Sequence, residues 1–207
     1  MSNVDSSLID SAIIYATEKH KNIERKGNGI PYIVHPLEAM AIVATITKDH
    51  ELIAAAALHD LIEDTDVTYE DIEKKFGKRI ADIVSNESQN MMPGYKDGES
   101  WIETKKRALE HLKASSIDCK IVALGDKLSN IRAMYHDYKD LGDKFWSRFR
   151  ESDPRLHKWR YNELTKCFEG LEDTYAYMEF KKLVELTFMG IEDLWKKEKK
   201  YYLKKYF

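Results

Sequence analysis

Apolar residues recur at three- and four-residue spacing along almost the whole chain, and sustained apolar/polar alternation is nearly absent, so the pattern predicts an all-α protein. A first helix is expected from about Leu8 to Lys21, with Ile9, Ala12, Ile13 and Ala16 on one face. After the glycine-rich RKGNGIPYIV, a second begins near His35-Pro36, where proline costs little because a first-turn N–H has no helical partner. ELIAAAALHDLIED reads as one helix, apolar on nearly all sides until its acidic end, and therefore buried at the centre. Thr68 with Asp71, and Ser100 with Glu103, are capping-box patterns that open two further helices, with Gly77 stopping the first. Between them lie a helix near 78–89 and the loop MMPGYKDGE. Ser116 caps a helix whose apolar face is Ile117, Ile121, Val122, Leu124, Leu128 and Ile131, with Asp126 and Asn130 one turn apart on it. More helices are expected near 141–149 and 156–169, and a long one from about Thr174 toward the C-terminus.

The 207 residues suffice for one domain with a full core, at about 8–170, plus a helical C-terminal extension over about 171–207. A net charge of -3, from 33 basic and 36 acidic residues, gives no global field toward nucleic acid or an anionic membrane, so any phosphate site has to be local. The N-terminus lacks a signal-type pattern and no apolar run is long enough for a membrane span, so a cytoplasmic protein is expected. Cys119 and Cys167 read as buried apolar residues. The tail DLWKKEKKYYLKKYF reads as a solvated helix whose aromatic stripe packs on the domain or on a sister subunit, leaving a homo-oligomer open.

Chemistry concentrates where polar residues interrupt apolar helices. His59 and Asp60 break a run of Ala and Leu, and a buried carboxylate is costly unless it is paired or bound to metal. Helical spacing puts Glu63 one turn from His59 and Asp64 one turn from Asp60, gathering four polar groups at one helix end, which suggests a cleft. Acids there oppose the helix dipole, so stability does not account for them. His35 starts a separate helix and Asp126 sits in the apolar face of another. Neighbouring backbone or Arg and Lys partners are the alternative explanation for this set. His20, His50, His111, His136 and His157 read as surface or packing residues.

The order His35, His59-Asp60, Asp126 resembles the HD superfamily of metal-dependent phosphohydrolases. RKGNGIPYIVHP, AAALHDLIEDT, FGKRIADIV and LGDKLSNIRAM, in this order and spacing, are similar more specifically to the hydrolase domain of RelA/SpoT-type proteins and the small alarmone hydrolases, over about 8–170. The resemblance implies an HD-type helical bundle with one Mn²⁺ that removes the 3′-pyrophosphate from guanosine tetra- and pentaphosphate through a metal-activated water. It implies His35, His59, Asp60 and Asp126 as metal ligands, a mixed N/O set that suits Mn²⁺ and leaves other divalent transition metals open. Glu63 and Asp64 match the family's acidic pair, with water orientation or deprotonation as their task. Arg25 and Lys26 match its basic pair and Asn130 its nucleotide-binding asparagine, and Tyr161 in KWRYNEL is expected as a ribose contact.

Two departures bear on substrate choice. The loop from Lys26 to Pro31 is one residue longer than in the long bifunctional enzymes, and GYKDGESWIETKKRALEHL replaces a region that is different there. An HD phosphohydrolase acting on a nucleoside monophosphate or a nicotinamide dinucleotide phosphate is therefore the second reading, and a non-catalytic nucleotide sensor or antitoxin-like module the third. A synthetase activity is not expected.

Overall fold

The computed structural model describes residues 5–25, 29–88 and 98–194. These are helical, with Glu24 and Pro31 forming an isolated antiparallel bridge. Helices α1 (Ser7–Lys19), α2 (Val34–Ile46), α3 (His50–Leu58), α4 (Leu61–Asp64), α5 (Tyr69–Phe76) and α6 (Lys78–Glu87) form the first half. Then come α7 (Trp101–Ala114), α8 (Ile117–Leu141), a 3-10 helix (Gly142–Arg148), α9 (Pro154–Cys167) and α10 (Tyr175–Thr187). Both expected capping boxes are present: Thr68 and Ser100 accept from the amides of Asp71 and Glu103, whose carboxylates accept in return. Ser116 caps α8 and Thr174 caps α10. α10 ends at Thr187, and the Lys/aromatic stretch of 195–207 lies outside the described residues, as do residues 91–97 of the MMPGYKDGE loop.

Alanine-rich α3 is the buried hub, with residues Leu52 to Leu58 all buried and α1, α2, α6 and α8 packed around it. Two apolar clusters result. One joins α1, α3, α5 and α6; the other joins α7, α8, α9 and α10. Helix α8 serves both, through Cys119 and Val122 in the first and Leu124, Leu128 and Ile131 in the second. Helices α2 and α8 approach closely at Gly125, where a Cβ would meet Ala39 O at 2.8 Å and Val43 Cγ2 at 2.7 Å. Only a residue without a side chain allows that approach, and the next residue on α8 is Asp126.

The stretch expected as one helix from Glu51 to Asp64 is two. α3 ends at Leu58, His59 and Asp60 form a turn, and α4 follows. Asp60 has φ -93° and ψ -2°, off the helical well, and sits at the N-cap of α4 without a side-chain cap bond. Its carboxylate is engaged elsewhere, as described below. Glu63 and Asp64 thus belong to a short separate helix rather than to the frayed end of α3. The segment expected near 141–149 is likewise not an α-helix: α8 itself continues to Leu141, and the 3-10 turn carries the rest.

Candidate metal and phosphate site

Three chain segments meet at the seam between the clusters. His35 comes from the first turn of α2, His59 and Asp60 from the α3–α4 break, and Asp126 from mid-α8. His35 Nε2 lies 3.2 Å from Asp126 Oδ1 and 3.4 Å from Asp60 Oδ2. His59 Nε2 lies 3.0 Å from Asp60 Oδ2 and 3.7 Å from Asp126 Oδ1. Donor atoms of His35, His59 and Asp126 fall within 4.8 Å of one another, and all three residues are buried.

The second nitrogen of each imidazole reveals how the rings are oriented. His59 Nδ1 is 2.8 Å from the carbonyl of Ala56, which can only accept, so Nδ1 carries a proton. His35 Nδ1 is 2.8 Å from Ser129 Oγ, and that hydroxyl gives its one proton to Glu38 Oε2 at 2.7 Å. Ser129 therefore accepts from His35, and Nδ1 is again the protonated nitrogen. In the neutral tautomers both Nε2 lone pairs point at two carboxylates, an arrangement that needs a positive charge between them. His59 Nε2 is buried without a hydrogen-bond partner. Burial opposes charge on His59, yet Asp60 and Asp126 hold the imidazole well above its usual range. Burial likewise opposes ionisation of Asp126, but Lys127 and the two imidazoles keep it well below the usual carboxylate range. Two imidazoles and two carboxylates around one point, each second nitrogen already tied to an acceptor, are a donor set for a divalent cation.

The carboxylates are supported from outside. Tyr32 Oη donates to Asp60 Oδ2 at 2.6 Å, which is why that carboxylate does not cap α4. Asn130 Nδ2 and Lys127 Nζ both donate to Asp126, and Arg25 Nη2 donates to Asn130 Oδ1 at 3.0 Å. Arg25 and Asn130, expected as substrate contacts, are thus linked to each other and to the Asp126 carboxylate. Lys26 lies outside the described residues.

A cavity of about 260 Å³ opens on the ligands, lined by Asp60, Glu63, Asp64 and Asp126 on one side. Lys105, Lys127 and Arg160 line it too, with Glu87 and His111. Burial, then repulsion from Arg160 and Lys127, pushes Lys105 down to about 7. Burial raises Glu87 to about 7, against the pull of Lys127 at 3.7 Å. Lys105, Lys127 and Arg160 offer an anionic occupant hydrogen-bond donors among these carboxylates. A second cavity, of about 510 Å³, shares Tyr32, Asp64, Lys105, Asn130 and Arg160 with the first and runs on past Trp101, Phe149 and Tyr161. Tyr161 is 3% exposed and packs on Phe180 and Phe188, so only an edge of it reaches that cavity.

A family model for the HD domain matches residues 12–148. A guanosine-3′,5′-bis(diphosphate) 3′-pyrophosphohydrolase of Danio rerio is 34% identical over 182 residues, 85% of this chain and 91% of its own length. The chain belongs to the HD-domain family. The Aquifex aeolicus protein of the same name is 36% identical over 129 residues, 61% of this chain, and the match spans only 18% of that longer protein. Among solved structures, this HD domain is similar to a metazoan orthologue of SpoT described as hydrolysing ppGpp, with TM-score 0.71 and 22% identity over 88% of this chain and 96% of that one. That likeness shows the fold. A Listeria monocytogenes protein has TM-score 0.65 and 30% identity, covering 78% of this chain and 99% of its own. An HD domain implies a divalent cation, and the donor set described above fits one.

Several site residues escaped the sequence reading. Tyr32, Lys127 and Ser129 lie inside PYIVHP and LGDKLSN, so their position beside the ligands was available although their partners were not. Lys105 and His111 are brought to the cavity by α7, whose sequence carries no motif. His111, expected at the surface or in packing, lines the metal cavity instead, because α7 packs across α9 and α8 rather than apart from them. His20 and His157 are packing residues, 2% and 3% exposed. Among the described residues no helix is long and apolar enough to cross a membrane.

Proposed function

We propose that this HD domain is a metal-dependent phosphohydrolase that removes the 3′-pyrophosphate from guanosine tetra- and pentaphosphate in the cytoplasm, with Mn²⁺ as its cation. The observation that carries the reading is the junction of the two cavities. His35, Asp60 and Asp126 of the converging His/His/Asp/Asp set line the smaller one with Lys105, Lys127 and Arg160, and the larger, which shares part of that lining, adds aromatic residues and arginines. A nucleoside whose terminal phosphates face the ligands fits that division. The relatives of Danio rerio and Aquifex aeolicus bear the name of this activity.

His35, His59, Asp60 and Asp126 would hold the cation, which when bound acidifies a water and withdraws charge from the phosphoryl group. Glu63 and Asp64, lining the same cavity, orient the attacking water and take its proton. Lys105, Lys127 and Arg160 hold the pyrophosphate oxygens and offset the charge that develops on them. The bond between the ribose 3′-oxygen and phosphorus breaks, with the water oxygen passing to pyrophosphate and a proton to the 3′-oxygen. Arg25, Lys26, Asn130 and Tyr161 position the nucleoside.

Product analysis of the purified protein with Mn²⁺ and guanosine 3′,5′-bis(diphosphate) tests this directly. The expected products are pyrophosphate and guanosine 5′-diphosphate. Release of orthophosphate alone, or turnover only of nucleoside monophosphates or a nicotinamide dinucleotide phosphate, would replace this substrate with the alternative one. Asp60→Ala is expected to lose metal and activity together.

A further inference from the structure

The larger cavity continues beyond anything that the metal site needs. Its far rim is formed by the segment after α8, where Arg148 ends the 3-10 helix and Phe149 is extended, with φ -98° and ψ 148°. Arg148 and Arg150, two positions apart across that extended residue, both line the cavity together with Phe149. Neither lines the metal cavity. Arg148 Nη1 donates to Asp137 Oδ2 at 2.7 Å, and the guanidinium lies 5.8 Å from the Phe145 ring centroid. That pairing uses part of a five-donor fork and fixes its plane. Arg150 is exposed and makes no hydrogen bond or ion pair among the described residues.

The same cavity is also lined by Trp101 and Tyr161, with His157. Burial holds the His157 imidazole down at about 4, so this ring is neutral near pH 7. The cavity therefore joins Lys105 and Arg160, which it shares with the smaller cavity, to Arg148 and Arg150, which it does not, with aromatic rings in its lining. A ligand that complements it carries anionic groups at two ends of an aromatic-binding body.

We propose that Arg148 and Arg150 form a distal anion subsite that binds the 5′-phosphates of the nucleotide and selects substrates by their 5′-end. The inference rests on the function proposed above and extends it. With the 3′-pyrophosphate at the metal cavity, the nucleoside meets the aromatic rings and the 5′-phosphates reach the arginine rim. The planar forks offer bidentate bonds to phosphate oxygens, and Arg150 is the donor whose hydrogen bonds are all available.

The test compares guanosine 3′-diphosphates that differ only at the 5′-end: hydroxyl, monophosphate, diphosphate and triphosphate. The wild-type protein is expected to prefer the 5′-diphosphate over the 5′-hydroxyl compound by about 100-fold in kcat/KM, as two charge-assisted contacts imply. Arg150→Gln and Arg148→Gln should each reduce that ratio about 10-fold, through the 5′-phosphorylated substrate alone. Binding of guanosine 5′-diphosphate by calorimetry should weaken in parallel, and inhibition by free pyrophosphate should not change. Turnover of the 5′-hydroxyl compound checks folding within each variant. Equal loss on all substrates, or an unchanged ratio, overturns the subsite while leaving the proposed reaction intact. Failure of the wild-type protein to release pyrophosphate from any of them overturns the reaction and the subsite together.

Discussion

The phenolic oxygen of Tyr32 lies 2.6 Å from Oδ2 of Asp60 and donates its proton there. Burial and then the Asp60 carboxylate raise the phenol far above its usual range, so it remains a donor at every working pH. The same carboxylate oxygen faces both imidazoles. Tyr32 thus holds the Asp60 carboxylate where it faces both imidazoles.

Removing that hydroxyl should leave the fold and weaken the metal. Tyr32→Phe keeps the ring contact with His20, at 4.9 Å between centroids, and deletes only the bond. Outer partners of ligating groups are typically worth about 10-fold or more in affinity. Titration of the metal-free variant with Mn²⁺ by calorimetry is expected to give a Kd raised about 10-fold, with an unchanged circular dichroism spectrum. An unchanged Kd would show that Asp60 is oriented by the backbone turn alone.

Ser129 performs the matching task for His35. It accepts from Nδ1 and donates to Glu38, which also accepts from Arg132 Nη1 at 3.1 Å. In Ser129→Ala the buried Nδ1–H loses its acceptor, at a cost of about 1–3 kcal/mol. Nitrogen-15 shifts of the His35 ring should show a mixed tautomer, and metal affinity should fall. A ring that stays in the Nδ1–H form would assign tautomer control to some other neighbour.

Gly125 makes a prediction about packing rather than polarity. A Cβ there would lie 2.8 Å from the carbonyl oxygen of Ala39, which belongs to the α2 backbone and cannot swing aside as a side chain can. Gly125→Ala should separate α2 from α8 and so His35 from Asp126. Overpacking of this kind costs roughly 1–3 kcal/mol even though alanine is the better helix former. Urea unfolding is expected to show a lower midpoint at constant slope, together with weaker metal binding. Stabilisation instead would mean that the helices accommodate a methyl group.

How much of this was legible beforehand depended on range. Capping at Thr68, Ser100 and Ser116 is encoded within four residues, and each cap forms as the local pattern implies. The break at His59-Asp60 was not legible. No proline or glycine marks it, and a run of Ala and Leu favours a continuous helix; the partner that Asp60 finds at the turn, Tyr32, lies 28 residues earlier. The carboxylates and imidazoles stood out because they interrupt apolar helices. Lys105, His111 and Arg160 did not, since a cation or imidazole on an amphipathic helix looks like solvated surface until the packing of α7 and α9 turns it toward a cavity.

His157 supplies a pH-dependent prediction remote from the metal ligands. Its ring lies among Trp101, Trp146 and Phe149, with centroids 5.3, 5.2 and 4.9 Å away, and Nε2–H donates to the Glu151 carbonyl at 2.7 Å. Burial comes first among the causes that depress its pKa to about 4, from an ordinary value of 6.5; the Glu151 bond opposes it, and Arg160 and Lys105 add to it. Above the ordinary value neither the folded nor the unfolded chain binds this proton. Between about 4 and 6.5 the unfolded chain binds it and the native one does not, so stability falls as pH drops through that window. At pH 5 the loss from this one group is about 2 kcal/mol. Replacing it by Phe keeps an aromatic ring and removes the titration. Urea unfolding at pH 7 and pH 5 should show a decline in the wild-type protein that exceeds the decline in His157→Phe by about 2 kcal/mol. Equal declines in the two proteins would mean that the His157 ring takes up its proton without leaving the aromatic cluster.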